Sequence, residues 1–319
     1  MNLETNWRPS ASRLAVEARA ELLTTVRQFF QQRAVLEVET PVLSRAGNSD
    51  PNIHSISTSG SRTRYLRTSP EYALKRMLAS GYGDIYELGR VFRAGESGRH
   101  HNPEFTLLEW YRVGWAYLDL ADEVIDLIRV CGKGQFDPWP VRRVSYRKLF
   151  QTEIGLDPWQ CSESDLACCA SERGITAISL NHQEWLDLLL AEVIQPSLPG
   201  ENFTVLHEVP ADLAALARIR AGDPPVAERF EIYLGQMELA NGYQELTDAT
   251  EQLDRFEREQ KHRALRDGEG IPVDTGLIAA LRSGLPECSG VALGIDRFLM
   301  MLLKLDHMDS VVTFSSIRI

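Results

Sequence analysis

The chain has 319 residues, of which 44% are hydrophobic and 25% charged, an ordinary composition for a globular protein. Its 34 basic and 45 acidic side chains give a net charge of −11, which disfavours a large nucleic-acid partner because phosphate binding needs a basic surface. The apolar runs are shorter than the roughly 20 residues of a membrane span, and the amino terminus does not resemble a signal peptide. We therefore expect a cytoplasmic protein that makes no membrane contact.

The first predicted element is an amphipathic helix over residues 12–33, where apolar side chains recur at helical spacing. A strand is predicted over residues 35–43, and it must end or lie at a sheet edge near Pro41, which cannot donate a ladder hydrogen bond. The residues Ser69-Pro70-Glu71 predict the start of a second helix, because each type suits the first turn. Gly81 is expected to end that helix.

Two strands, 85–93 and 104–112, are predicted to form a hairpin with a long loop. Residues 145–225 are mixed and less diagnostic, and we interpret them as an inserted region. Two further strand patterns precede a charged helix over residues 250–267. Strand pairs with helices collected elsewhere predict a single α+β domain, residues 1–319, on a mostly antiparallel sheet.

The predicted hairpin carries the most informative segment, RVFRAGESGRHHNPEFTLLEWYR. Arg93 at a strand end, beside a loop of arginine and histidine, predicts a phosphate pocket, since the guanidinium fork binds oxygens in pairs. Phe105 offers a flat face for a purine. Glu109 and Tyr111 alternate on one strand face, where a carboxylate and a phenol suit an ammonium group. The alternative is an ordinary amphipathic hairpin with solvated charges.

Two later segments also carry candidate site residues. In ELANGYQELTD, Glu238 and Glu245 would face opposite sides of a regular strand, so Asn241-Gly242 predicts a turn or bulge that brings both carboxylates to one magnesium site. The alternative is surface acids on a hairpin. In GVALGIDR, the glycines permit close approach to a ligand, and Arg297 in a first helical turn indicates an anionic partner, because the helix dipole disfavours it there.

In this order, the segments VLEVETPVL, RVFRAGESGRHHNPEFTLLEWYR and GVALGIDR resemble motifs 1, 2 and 3 of the class II aminoacyl-tRNA synthetases. HNPEFTLLEWY together with ELANGYQELTD resembles the lysyl subgroup. The resemblance runs from about residue 12 to the carboxyl terminus. It implies the class II synthetase catalytic fold, a mostly antiparallel sheet flanked by helices, and a homodimer with motif 1 in its interface.

The resemblance also implies the reaction and the role of each matching residue. ATP and Mg²⁺ are implied as cofactors, and an amino acid is activated as its acyl-adenylate. Arg93, Glu238, Glu245 and Arg297 are implied as catalytic, with both glutamates on magnesium. The implied ATP contacts are Arg93, Ala94, Gly95, His101, Asn102, Phe105, Glu238, Leu239, Gly294 and Arg297. The implied substrate contacts are Ser69, Pro70, Glu71, Glu109, Tyr111, Glu245 and Ala292.

Three departures from the lysyl synthetases narrow the resemblance. Motif 1 begins about 35 residues into the chain, so we expect no anticodon-binding domain. Gly95 stands where that family has glutamate, and Ala292 where it has glycine. These departures resemble the truncated lysyl-tRNA synthetase paralogs that modify bacterial elongation factor P. That resemblance implies transfer of (R)-β-lysine to a lysine side chain of elongation factor P, and it makes tRNA an unexpected partner.

Two alternatives remain at this point. One is a truncated lysyl-tRNA synthetase that still acylates a tRNA. The other is a non-catalytic paralog that senses an amino acid or a nucleotide, against which the retained Arg93, Glu238, Glu245 and Arg297 argue. We also expect the methyl group of Ala292 to help select a β-amino acid over α-lysine, because it narrows a wall of the amino-acid pocket.

Overall fold

The computed structural model describes residues 7–177, 180–267 and 270–315. The helices are α1 Arg13–Gln32, α2 Glu71–Ala79, α3 Tyr117–Gly132, α4 Tyr146–Glu153, α5 Glu163–Glu172, α6 His182–Leu189, α7 Gln195–Ser197, α8 Ala249–Asp267, α9 Thr275–Gly284 and α10 Ile295–Leu303. The strands are β1 Leu36–Glu37, β2 Leu43–Ser44, β3 Ser57–Thr58, β4 Arg64–Leu66, β5 Ile85–Phe92, β6 Glu104–Val113, β7 Val141–Ser145, β8 Phe203–Pro210, β9 Ile219–Arg220, β10 Val226–Leu234, β11 Met237–Gln244 and β12 Cys288–Gly294.

These strands form two sheets. The larger has the order β1-β5-β6-β12-β11-β10-β8-β7, with β9 beside β10. Its neighbours are antiparallel except for the pairs β1–β5 and β7–β8, which are parallel. The smaller sheet has the order β2-β4-β3. The prediction of an α+β fold on a mostly antiparallel sheet is confirmed.

The amino-terminal helix α1 matches its predicted extent closely. The Ser12 side chain accepts a hydrogen bond from the backbone of Ala15 at its start, and the apolar face is buried in a core shared with α3 and α10. The prediction of a single strand over residues 35–43 is wrong. The structure has two short strands there, β1 and β2, with Pro41 in the gap between them, which is where the missing donor interrupts pairing.

The inserted region packs around a core of its own. Helices α4, α5 and α6 contribute Phe150, Leu166 and Leu189, which pack against Leu206 of strand β8. This cluster lies at the β8–β7 end of the large sheet. The central strands β6, β12 and β11 are therefore left to carry the site described below.

Helix α2 lies over one face of these central strands. Its Leu74 and Leu78 share a buried cluster with Tyr111 of β6 and Leu277 of α9. This packing fixes the direction of α2, so that residues of its first two turns point toward the strands. Gly81 follows the helix with a φ of 86°, a left-handed conformation that suits the predicted glycine stop. Among the described residues, no helix has the length and apolar character needed to cross a membrane.

Candidate active site

A cavity of about 320 Å³ lies over the central strands, between α2, α8 and the loop that joins β5 to β6. Most of the predicted site residues line it: Ser69, Glu71, Arg93, His101, Asn102, Phe105, Glu109, Tyr111, Glu238, Leu239, Glu245, Ala292, Gly294 and Arg297. The exceptions are Pro70, which lines a neighbouring cavity, and Ala94 and Gly95, which line neither. The three sequence segments singled out above therefore meet at one place.

Arg93 marks the cationic end of the cavity and is the first residue after β5. Its backbone N–H donates to the Pro103 carbonyl at 2.8 Å, which closes the hairpin loop. Its guanidinium donates to Glu96 Oε1 at 3.4 Å and lies 5.1 Å from the centre of the Phe105 ring. With about a quarter of its side chain exposed, at 27%, Arg93 can exchange this long contact for a phosphate.

Arg297, in the first turn of α10, is the second cation at this end. It donates to the backbone carbonyls of His100 and Glu238, at 3.3 and 3.2 Å, and pairs with His101 Nε2. Burial and then the neighbouring Arg297 lower the pKa of His101, so the ring is neutral and accepts this hydrogen bond. The loop and β11 thus hold Arg297 in position beside Arg93.

Glu238 is the carboxylate that lies with these arginines. Burial, followed by the negative charge of Glu231, raises its pKa, and Arg297 and Arg229 oppose that shift. Glu231 is held by Tyr233 at 2.6 Å and by Arg229 at 2.7 Å. By contrast, no side chain in the described part of the chain donates a hydrogen bond to the Glu238 carboxylate. Sequence reasoning missed Glu231, although it lies in the strand that pairs with β11.

Glu245 lies at the other end of the cavity beside Lys75, so the structure does not bring it together with Glu238, as the predicted magnesium pair requires. Its carboxylate forms an ion pair with Lys75; burial raises the pKa of Glu245 to about 8, a shift that Lys75 opposes and Glu71 reinforces. The predicted bulge at Asn241-Gly242 is also absent: both residues pair regularly, and the register shift is at Ile232/Tyr233. Gly242 is needed instead because a Cβ there would lie 2.6 Å from the Phe230 ring.

The anionic end also contains Glu109 and Tyr111, which share one face of β6 as predicted. The Tyr111 hydroxyl donates to Glu109 Oε1 at 2.8 Å, and both side chains are buried. Burial, with Glu71 adding to it, raises the pKa of Glu109. Gly290 lies beside them on the neighbouring strand β12. A Cβ at this position would lie 2.3 Å from Glu245 Oε1 and 2.4 Å from Tyr111 Cε1. The absence of a side chain there keeps the end of the cavity open.

Lys75 is a second residue that sequence reasoning missed. Its Nζ lies 2.6 Å from Glu71 Oε1 and 2.5 Å from Glu245 Oε2, and the residue is 1% exposed. Burial alone would lower its pKa, but Glu245 and then Glu71 outweigh it and raise the pKa. Tyr243 donates a further hydrogen bond to Glu71. The signal in the sequence was the i,i+4 spacing of Glu71 and Lys75 on one helix face.

A loop over residues 46–54 forms the remaining wall. Arg263 of α8 donates to the carbonyls of Asn48, Asp50 and Ile53, which fastens this loop to α8. Ser49 donates to Glu259, whose carboxylate also lines the cavity. Burial raises the pKa of Glu259 to about 7. Neither the loop nor α8 was predicted to contribute to the site.

Within the described residues, no group of three or more His, Cys, Asp or Glu side chains is arranged to hold a metal ion. The carboxylates at the two ends of the cavity instead serve different charges. The arginine end suits phosphates, with Glu238 left for a cation. The other end has Glu71, Glu109 and Glu245 against one lysine, an excess of two negative charges when all are ionised.

Comparison with known proteins agrees with this geometry. The sequence model of the class II tRNA synthetases (D, K and N) matches residues 4–318. The chain is 42% identical to the elongation factor P–(R)-β-lysine ligase of Haemophilus ducreyi, over 97% of this chain and 96% of the relative. It is 41% identical to the ligase of that name from Pectobacterium atrosepticum, over 99% of both chains, and 40% identical to that of Vibrio vulnificus, over 98% of both.

Proposed function

The chain belongs to the class II tRNA synthetase family, and we propose that it is an ATP-dependent ligase for a lysine-type amino acid, (R)-β-lysine, with elongation factor P as acceptor. The observation that carries the substrate class is the charge of the cavity. Arg93 and Arg297 at one end match phosphates and a carboxylate, and the three carboxylates at the other end, which face only one lysine, match two ammonium groups. The names of the related ligases supply the β-isomer and the acceptor.

In the first step, the substrate carboxylate is held by Arg93 and attacks the α-phosphorus of ATP. A new carboxylate–phosphorus bond forms, the bond to the bridging oxygen breaks, and pyrophosphate leaves. Arg93 neutralises charge on the α-phosphate, and Arg297 holds the γ-phosphate. Because no protein nucleophile is needed, catalysis comes from positioning and from charge neutralisation.

In the second step, the amine of the acceptor lysine attacks the carbonyl of the adenylate. A carbon–nitrogen bond forms, the mixed-anhydride bond to phosphate breaks, AMP leaves, and the neutral amine loses one proton to water. The product is an amide on the acceptor side chain. Glu71 at the proximal amino group, with Glu109 and Tyr111 at the distal ammonium, keeps the reacting carbonyl beside Arg93.

Magnesium fits at Glu238. Its carboxylate has no cationic side chain within 4 Å among the described residues, and Glu231 supplies a second negative charge close enough to raise its pKa. When bound, Mg²⁺ would neutralise phosphate charge. Glu245 is reassigned from the metal to the distal ammonium group, because Lys75 already faces it.

We also propose a cytoplasmic homodimer that does not use tRNA. The motif 1 segment exposes Leu36 at 51%, Val42 at 39% and Leu43 at 47%, an apolar patch that a second copy would cover. Sedimentation at micromolar concentration should give a dimer, and a monomer there would contradict this arrangement.

The activity is tested by ATP–pyrophosphate exchange with (R)-β-lysine and with α-lysine, followed by incubation with elongation factor P, with tRNA, or with neither. We expect exchange with the β-isomer to exceed exchange with α-lysine. We also expect a mass increase of one β-lysyl group on a single lysine of elongation factor P. Labelled tRNA with unmodified elongation factor P would favour the truncated synthetase, and no exchange with either isomer would favour the sensing paralog.

A further inference from the structure

The buried ammonium of Lys75 connects the two carboxylates that face opposite parts of the substrate. Glu71 is the first residue of α2, and Glu245 directly follows β11 on the facing sheet. Lys75 Nζ lies 2.6 Å from an oxygen of the first and 2.5 Å from an oxygen of the second. Lys75 is 1% exposed and, unlike the two glutamates, does not line the cavity. Its influence must pass through the two glutamates.

Each of these glutamates has one oxygen on Lys75 and one oxygen left for a ligand. Glu71 Oε1 accepts from both Lys75 and Tyr243, whereas Oε2 receives no hydrogen bond within the described residues. Glu245 Oε2 faces Lys75, and Oε1 also lacks a hydrogen-bond donor there. That second oxygen is buried beside Gly290, and both residues line the cavity. Glu71 Oε2 and Glu245 Oε1 are thus two acceptors on carboxylates that are both paired with Lys75.

We propose that Lys75 is a positioning residue that sets the distance between Glu71 and Glu245, and so sets which separation of two ammonium groups the cavity accepts. The inference rests on the proposed lysine-type substrate. The two amino groups of β-lysine are separated by one carbon fewer than those of α-lysine. A fixed ion pair is a stiffer spacer than two buried carboxylates that repel each other.

The direct test uses simple diamines, which carry the two ammonium groups without the reacting carboxylate. Calorimetric titration with 1,4-diaminobutane and 1,5-diaminopentane copies the amine spacing of β-lysine and α-lysine respectively. We expect the wild-type protein to bind the shorter diamine more tightly. Lys75→Met should weaken both diamines roughly 10- to 100-fold, because the carboxylates lose their shared partner.

Lys75→Arg is the second variant and keeps the positive charge. Its larger planar head should hold the glutamates at a different distance, so the order or ratio of the two diamine affinities should change even where overall binding survives. This variant keeps the test decisive if Lys75→Met fails to fold.

Arg112→Met is the matched control. Arg112 is also buried, at 3% exposure, and is paired with Glu123 and Asp84, but it does not line the cavity. It should lower the melting temperature while leaving both diamine affinities unchanged. If Lys75→Arg keeps the wild-type diamine ratio, or if Lys75→Met binds both diamines as Arg112→Met does, the lysine is only structural and the proposal is wrong.

The diamine assay also separates this proposal from the proposed function. Diamine affinities that depend on Lys75 in a protein without pyrophosphate exchange would refute the ligase activity and leave the spacer role standing. Normal pyrophosphate exchange, with a ratio of the two diamine affinities that does not depend on Lys75, would refute the spacer role and leave the ligase activity standing.

Discussion

The two ends of the cavity are built differently. At the phosphate end, Arg93 and Arg297 contact carbonyls, a histidine and a distant carboxylate, and Arg93 is partly exposed at 27%. At the ammonium end, Glu109, Glu245 and Lys75 are all 3% exposed or less. The first end can exchange weak protein contacts for a large charged ligand. The second must be arranged in advance, since buried charges are tolerated only with fixed partners.

The largest effect is expected at the phosphate end. Arg93→Ala removes the charge that we propose to bind both the substrate carboxylate and the α-phosphate, and we expect exchange to fall about a thousandfold or more. The melting temperature should change little, because the contacts of this side chain are long and partly exposed. Exchange near the wild-type rate would show that the two ends have been assigned to the wrong ligands.

A paired substitution separates the ends directly. Glu245→Gln should raise KM for β-lysine roughly 10- to 100-fold with little change in the magnesium requirement, because this carboxylate serves an ammonium group. Glu238→Gln should raise the magnesium concentration needed for half-maximal exchange, with a smaller effect on KM for β-lysine. Steady-state kinetics with magnesium and β-lysine varied independently measure both. If both variants changed the magnesium requirement and KM for β-lysine in the same way, the two carboxylates would share a metal site after all.

A smaller effect is expected from Ala292. This residue of β12 pairs with Glu109 of β6 on one side and with Asn241 of β11 on the other. Its methyl group therefore flanks the ammonium end. Ala292→Gly should raise kcat/KM for α-lysine relative to β-lysine by about tenfold, within the roughly 10–200-fold typical of a methylene-sized change. The comparison needs both isomers in both proteins, and an unchanged ratio would transfer the selectivity to Glu71 and its neighbours.

The last effect concerns stability rather than catalysis. The pKa of Glu259 is raised to about 7 by burial, so the folded protein holds this proton more tightly than the unfolded chain. Its contribution to stability is therefore present at low pH and is lost as pH rises from about 5 through 7. In the Glu259→Gln variant, the free energy of unfolding should therefore fall less with rising pH, by up to about 3 kcal/mol. Urea unfolding at pH 5 and pH 8 measures it; equal pH dependence in both proteins would contradict the assignment.

The sequence predicted the phosphate end better than the ammonium end. Arg93, Phe105 and Arg297 lie at strand or helix boundaries in recognisable segments, where local pattern and position determine the contact. Lys75 and Glu231 were missed because their roles depend on pairing between elements far apart in the chain. Glu245 was expected to contact both magnesium and the substrate, and its ion pair was missed for the same reason: alternation along β11 cannot reveal that Lys75, 170 positions earlier, faces it.

The same separation constrains the order in which the chain can fold. Glu71 and Lys75 are four residues apart on α2, so their ion pair can form as soon as that helix does. Glu245 and Tyr243 are synthesised about 170 residues later and can join only when β11 docks beside β12 and β6. The pocket for the diammonium substrate is among the last parts of the molecule to be completed, so a truncated or stalled chain has no working site.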